Sequence, residues 1–210
     1  MASLEEAQLA VSLGVDAVGF VAARPASPRT IADATIAAIA PQLPRHVASF
    51  LLTSETTAAG VARHVSATHV STVQLLAYLS AEECRELARL LPNTQRVQVI
   101  HVEAPSALEL IDRYAPYVQA FLLDSGRPTQ GEYGGTGRTH DWQVSAAFVR
   151  RSPHPVFLAG GLSAANVVAA MHTVRPYGVD LCSGVRTHGR LDREKLAAFV
   201  DAVRTADATR

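Results

Sequence analysis

Short unbroken apolar runs alternate along the chain with longer stretches whose apolar positions recur every three or four residues. The longer period marks helices with one buried side, and the unbroken runs mark strands covered on both faces. Ser3-Leu4-Glu5-Glu6 reads as a capping box that opens a helix, with Ser3 as N-cap, and Gly14 ends it. A strand follows over residues 16–21. Helical patterns at 31–42 and 56–66 flank a strand at 46–52, and a short strand spans 72–75. Ser80 caps a helix to about Leu91, with Leu87 and Leu91 one turn apart. A strand at 96–101, a helix at about 105–114 and a strand at 120–123 lead to a glycine-rich loop at 126–138. After a helix at 141–151, a strand at 156–159 and a helix capped by Ser163, the last strand spans 179–181. Asp192 caps the final helix, to about Val203, and the polar tail beyond it is expected to fray.

Seven strands, each followed by a helix, predict an α/β fold with a parallel sheet covered on both faces. No G-x-G-x-x-G follows an early strand, which weakens a doubly wound nucleotide-binding sheet. So many short units in 210 residues favour a (β/α)₈ TIM barrel, somewhat below the usual ~250 residues. Residues 1–210 read as one domain, long enough to bury about 70% of the unfolded surface without disulfide or metal staples.

Composition narrows the partners. Nineteen basic and nineteen acidic residues give zero formal charge, which argues against non-specific binding to nucleic acid or to an anionic membrane. Two cysteines, Cys84 and Cys182, are too few for a disulfide framework, so a reducing cytoplasm is expected. No signal peptide and no 18-residue apolar span is visible. The eight histidines show no metal-ligand spacing. His46, His64 and His69 read as surface residues or satisfied partners, and Cys84 as helix packing.

The chemistry concentrates near the C-terminus. Gly160-Gly161 ends one strand and Ser183-Gly184 follows the next. Glycines there let backbone N–H groups face a ligand, and a following helix N-terminus adds partial positive charge. That combination suits a phosphate, which barrels commonly hold after strands seven and eight; a plain tight turn at Gly160-Gly161 is the alternative. Asp124 ends an apolar strand at the barrel mouth, as a general acid–base or a helix cap. The glycine-rich loop after it either closes over a ligand or is an ordinary loop.

Together these pieces resemble the phosphoribosylanthranilate isomerase family. The resemblance runs from Ser3 to about Val203, through Asp16-Ala17-Val18-Gly19-Phe20, Ser27-Pro28-Arg29, Val73-Gln74-Leu75, Phe121 to Ser125, Gly134 to Gly137 with Asp141-Trp142, Ala159 to Leu162, and Pro176 to Val185. It implies a (β/α)₈ barrel that needs no cofactor or metal and performs an Amadori rearrangement in tryptophan biosynthesis. It implies that Asp124 is the general acid and that Arg29 faces the anthranilate. Gly160, Gly161, Ser183 and Gly184 would hold the phosphate, with Asp180 supporting the site. The expected partner is a small phosphosugar, with no nucleic acid or membrane, and the chain a monomer or homodimer.

The chain also departs from the family. The family opens with a strand ending in Cys-Gly, whose cysteine is the general base, and Met1 falls just after that position. Strand one and the base are thus expected to be missing, leaving the strands at 16–21 and 179–181 each with an unpaired edge. A start placed too late, an inactive phosphosugar-binding relative, and a rearranged or swapped assembly all remain open. Leu76-Ala77 stands where the family has His-Gly, and Arg186 where it has Glu. Cys182 shares strand parity with Asp180 and is either a replacement base or a small buried residue.

Overall fold

The computed structural model describes residues 1–22, 29–126 and 139–209. The chain divides into two compact units, Met1–Gln98 with Tyr117–Gln119, and Val99–Pro116 with Ala120–Arg210. The glycine-rich segment from Gly134 to Gly137, together with Ser27 and Pro28, lies outside the described residues.

The first unit runs α1 (Leu4–Ser12), β1 (Ala17–Val21), α2 (Asp33–Ile39), β2 (Ala48–Thr53), α3 (Ala58–Thr68), β3 (Thr72–Leu75), α4 (Ala81–Leu90) and the start of β4 (Gln95–His101). Its strands pair in chain order and in parallel, with Phe20 opposite Leu51, Leu51 opposite Val73 and Val73 opposite Arg96. Parallel neighbours need a crossover, and α2, α3 and α4 supply it. Local signals set the helix starts. Ser3 accepts from the Glu6 N–H, Thr57 from Gly60 and Ser80 from Glu83. The capping box is shifted by one residue, because the Glu6 carboxylate accepts from the Ala2 N–H at 2.9 Å. Gly14 adopts φ 85°, the left-handed conformation that ends α1 without a Cβ penalty. Phe20, Ile36, Leu51, Leu75 and Leu87 are fully buried, each contributing about 1.5–3 kcal/mol.

The outer edge of β1 is not bare. Ala22 N–H donates to Leu52 and Ala48 N–H donates to Asp16, so the even-numbered residues of β1 face β2. The carbonyls of Gly19 and Val21 point the other way. Gly19 accepts from the Met1 ammonium, and Val21 accepts from the Ile31 N–H at 3.1 Å. Among the described residues β1 has β2 as its strand neighbour, and Met1 and Ile31 meet carbonyls of its second edge.

The second unit holds the end of β4, a 3₁₀ turn (Pro105–Glu109) into α5 (Leu110–Tyr114), β5 (Ala120–Asp124), α6 (Trp142–Arg151), β6 (Val156–Leu158), α7 (Val167–Val174), β7 (Gly178–Val179), a 3₁₀ turn (Ser183–Val185), a hairpin of β8 (Arg186–Thr187) and β9 (Arg190–Leu191), and α8 (Arg193–Asp207). Its sheet order is β4-β5-β6-β7. Phe121 and Phe148 meet edge to face, 5.2 Å apart at 77°, and with Ile100, Leu123 and Leu158 they form its core.

Three sequence expectations change here. The last strand of the parallel sheet is Gly178–Val179, so Leu181 lies beyond it. Ser163 does not cap a helix directly: α7 begins at Val167, and the Ser163 carbonyl accepts from both Asn166 and Val167 N–H across an intervening turn. The tail does not fray at Val203, because α8 continues to Asp207 and buries Ala206. No described helix is long and apolar enough to cross a membrane.

Candidate active site

The site is built where β5, β6 and β7 end. Leu123 lies opposite Leu158, and Leu158 opposite Val179. The next residue on each strand keeps this level: Ala159 N–H donates to Leu123 at 2.7 Å, and Asp180 N–H donates to Leu158 at 2.8 Å. Asp124, Ala159 and Asp180 therefore form one row, with side chains on the same face. The two carboxylates are two strands apart, about 10 Å between backbones. Between them stands Ala159, a small buried residue.

Asp124 is the last residue of β5 and half-buried. Its carbonyl accepts from Val102 N–H at 2.9 Å. Its Oδ1 accepts from the Ser125 N–H at 2.7 Å and lies 3.5 Å from the Ser125 hydroxyl. The carboxylate thus bonds the residue just beyond its own strand, and no described helix begins at Ser125.

Asp180 has a raised carboxyl pKa, about 7. Dense surrounding protein is the larger cause and repulsion from Asp124 the second, opposed by a hydrogen bond from the Leu181 N–H. Asp180 nevertheless keeps an exposed surface, so hydration offsets part of the desolvation. The upward direction is secured by the neighbouring carboxylate.

Gly160 and Gly161 have φ 85° and 64°. For Gly160 the reason is a close approach. A Cβ there would lie 2.9 Å from the Ser125 nitrogen and 3.0 Å from its side chain. Gly160 is thus a packing glycine as well as a candidate phosphate ligand: it lets the ends of β5 and β6 meet. Among the described residues nothing takes the Gly160 or Gly161 N–H. Asn166 stiffens the loop, its Oδ1 accepting from Ser163 N–H at 2.8 Å and its amide donating to the Gly161 carbonyl at 3.0 Å. Gly184 is tighter still, since a Cβ there would fall 2.2 Å from the Leu162 carbonyl oxygen. Ser183 and Gly184 open a 3₁₀ turn, so their N–H groups stand at its unpaired end.

The structure thus brings together Asp124, Gly160, Gly161, Asp180, Ser183 and Gly184, all in the second unit. Arg29 belongs to the first unit, half-buried beside the Val21–Thr30 bridge. The parity argument for Cys182 fails, because the pleat ends at Val179 and Cys182 has φ −136° and ψ −65°. Cys182 is half-buried rather than a fully buried packing residue. Cys84 is buried in α4 as expected. His64 is a satisfied partner, with Nδ1 2.6 Å from Asp33 and Nε2 3.5 Å from Glu55.

Two histidines escaped sequence reasoning. His101 is buried at the end of β4, and His140 stands directly before the Asp141 cap of α6, its Nε2 2.7 Å from the Ser145 hydroxyl. The signal for each was position: one ends an apolar strand and the other adjoins a helix cap at the end of the glycine-rich loop. Among the described residues no group of three or more His, Cys, Asp or Glu could hold a metal ion.

Residues 1–202 match the family described as PRAI, N-(5'phosphoribosyl)anthranilate (PRA) isomerase. The N-(5'-phosphoribosyl)anthranilate isomerase of Halobacterium salinarum is 38% identical over 205 residues, covering 95% of this chain and 91% of its own. The crystal structure of phosphoribosyl anthranilate isomerase from Thermotoga maritima superposes with a TM-score of 0.85 at 30% identity, covering 98% of this chain and 96% of that one. Another structure of the enzyme, solved in complex with reduced 1-(O-carboxyphenylamino)-1-deoxyribulose 5-phosphate, gives a TM-score of 0.81 at 27% identity, with 98% and 95% covered. By sequence and by fold, this chain belongs to the N-(5'-phosphoribosyl)anthranilate isomerase family.

Proposed function

We propose that the chain isomerises N-(5-phosphoribosyl)anthranilate to 1-(2-carboxyphenylamino)-1-deoxyribulose 5-phosphate, in tryptophan biosynthesis and in the cytoplasm. The observation that carries the reading is the row of Asp124, Ala159 and Asp180 beside the open N–H groups of Gly160 and Gly161. The phosphate rests on the N–H groups of Gly160, Gly161, Ser183 and Gly184, which suit an anion without a lysine. This places the sugar ring over Ala159, within reach of Asp124. As general acid, Asp124 delivers a proton to the ribose ring oxygen. The ring opens to an iminium, and loss of the C2′ proton gives the enamine that becomes the ketose. Burial and the neighbouring Asp124 both favour the uncharged form of the Asp180 carboxyl, which lowers the row's repulsion of the phosphate. In this reading Arg29 faces the anthranilate. The base is the cysteine that ends the opening strand in the family, which the family carries ahead of the α1 sequence.

The test is turnover of N-(5-phosphoribosyl)anthranilate by the chain, with and without a family-type opening strand ending in Cys-Gly before Met1. Asp124→Asn should lower kcat by about 10²–10⁴-fold with the fold intact. Full turnover by Asp124→Asn would remove Asp124 from the mechanism. Phosphosugar binding without turnover in either form would favour a non-catalytic relative.

A further inference from the structure

The hairpin that follows the Ser183–Val185 turn carries charge that the proposed mechanism does not use. From Arg186 to Lys195 the sequence sets Arg186, Arg190, Arg193 and Lys195 against Asp192 and Glu194, in a chain whose formal charge is zero. Arg190, Arg193 and Lys195 are exposed, and Arg186 is half-buried. Arg186 stands where the family has Glu, so the sign at this corner is the chain's own. The hairpin is also fixed in shape. Arg186 pairs with Leu191, and Thr187 with Arg190. His188 and Gly189 turn between them at φ 50° and 78°, the left-handed pair that suits a two-residue hairpin loop. The Arg186 Nη1 donates to the Gly189 carbonyl at 2.7 Å.

Three bonds tie these cations to the turn that offers the Ser183 and Gly184 N–H groups. The Arg186 N–H donates to the Ser183 carbonyl and closes the turn, which holds the two Cα atoms within about 7 Å. The Asp192 N–H donates to the Val185 carbonyl at 2.9 Å. The Lys195 ammonium donates to the Arg186 carbonyl at 3.2 Å. Chain geometry then keeps that ammonium within about 13 Å of the Ser183 Cα. The Asp192 charge is offset by the positive end of α8, whose Glu194 and Lys195 N–H groups donate to its Oδ1 at 3.1 Å each. In the same unit the Asp124 and Asp180 carboxylates act against an arriving anion. The cations beside the turn are the counterweight.

We propose that the β8–β9 hairpin and the first turn of α8 form an electropositive collar for the Ser183–Gly184 turn, which draws in a phosphate ester that also carries a carboxylate. A phosphate monoester is close to a dianion near neutral pH, and the carboxylate adds a further negative charge. The collar acts at a distance, on capture, and takes no part in the proton transfers. Once the phosphate is seated, the backbone N–H groups hold it. The screening length is about 30 Å at 0.01 M salt and about 3 Å at 1 M. The collar's effect is therefore full in dilute buffer and lost in strong salt, whereas a direct hydrogen bond to the ligand persists. The inference rests on the isomerase reading for its substrate, and on the phosphate turn alone for its physical test.

Turnover of N-(5-phosphoribosyl)anthranilate by the full chain, across potassium chloride concentrations, gives one readout, and affinity for inorganic phosphate gives the other. Arg190 and Arg193 are the positions to vary, because they are exposed and their side chains make none of the bonds named above. Arg190→Glu/Arg193→Glu should lower kcat/KM about 10-fold in dilute buffer, with kcat unchanged. Arg190→Gln/Arg193→Gln should lose less, and Arg190→Lys/Arg193→Lys nothing, since charge alone matters. At 1 M salt all of them should converge on the wild type. Phosphate affinity should follow the same order and the same convergence. A gap that persists at 1 M salt, a loss in kcat, a lysine variant as weak as the glutamine one, or wild-type affinity in the glutamate variant at low salt overturns the proposal. If the wild type binds inorganic phosphate without turnover, the isomerase reading fails by itself and the phosphate affinities decide this one. If it binds no phosphate, the turn and its collar fall together. If the glutamate variant does not fold, the order of the lysine and glutamine variants decides it.

Discussion

In β3 all four residues are buried, and in β4 six of seven are. In β7 both residues are half-exposed, and the strand is only two residues long. The early strands spend their backbone groups on the ladder, with registers of five and four residue pairs for β1–β2 and β2–β3. The late ones keep two pairs between β6 and β7, and their chains leave the sheet as glycine turns. A backbone N–H already in a ladder cannot hold a phosphate. The difference therefore separates two tasks: β1 to β4 supply buried area, and the ends of β5 to β7 supply donors and carboxylates.

That comparison can be broken at several points. Leu51→Ala, in the buried centre of β2, should cost about 3 kcal/mol in denaturant unfolding, while folded protein binds inorganic phosphate as before. Weakened phosphate binding by the folded variant would show that the division of labour is wrong. Gly184→Ala should cost about 2–3 kcal/mol and also abolish phosphate binding, because its Cβ meets the Leu162 carbonyl, a backbone atom that cannot move aside cheaply. Unchanged phosphate affinity there would detach Gly184 from the site. Gly160→Ala should cost about 1–2 kcal/mol through its positive φ and the contact with Ser125. Thr57→Ala, which removes the α3 cap in the first unit, should cost about 1 kcal/mol and leave phosphate binding untouched.

The smallest expected effect concerns pH. The folded-state carboxyl of Asp180 is raised to about 7, from an ordinary 3.8. Between those values the folded chain holds a proton that the unfolded chain releases, so this group's contribution to stability falls as pH rises through the window. Asp180→Asn should flatten that part of the stability–pH curve, with the change reduced by the exposure of Asp180. An unaltered slope would mean that Asp180 is fully hydrated and does not share the row with Asp124.

Much of this was readable from residue order. The helix caps Ser3, Thr57, Ser80 and Asp192 act within three residues of themselves, so local sequence suffices; Thr57 alone was not singled out beforehand. The unbroken apolar runs gave all seven strands, with β3 matched residue for residue. Asp124, Gly160-Gly161 and Ser183-Gly184 stood out because each interrupts or follows such a run. What sequence misjudged lay where the chain leaves regular structure. β7 stops at Val179 and removes the parity of Asp180 and Cys182, and α7 starts four residues after Ser163 because Asn166 ties the intervening turn.

By itself, then, the sequence determined the alternation of strands and helices, the caps, the family and the chemical types at the strand ends, because period, capping and glycine tolerance are local properties. Only the tertiary structure decided that Gly160 and Gly184 are glycines because Ser125 and Leu162 press against them. It alone decided that Asp124 and Asp180 share one row across β6. It also decided that His140 is half-buried, with its Nδ1 enclosed and unanswered. Each of these depends on two or more segments arriving at one level, and register between strands is written in their packing rather than in any one of them.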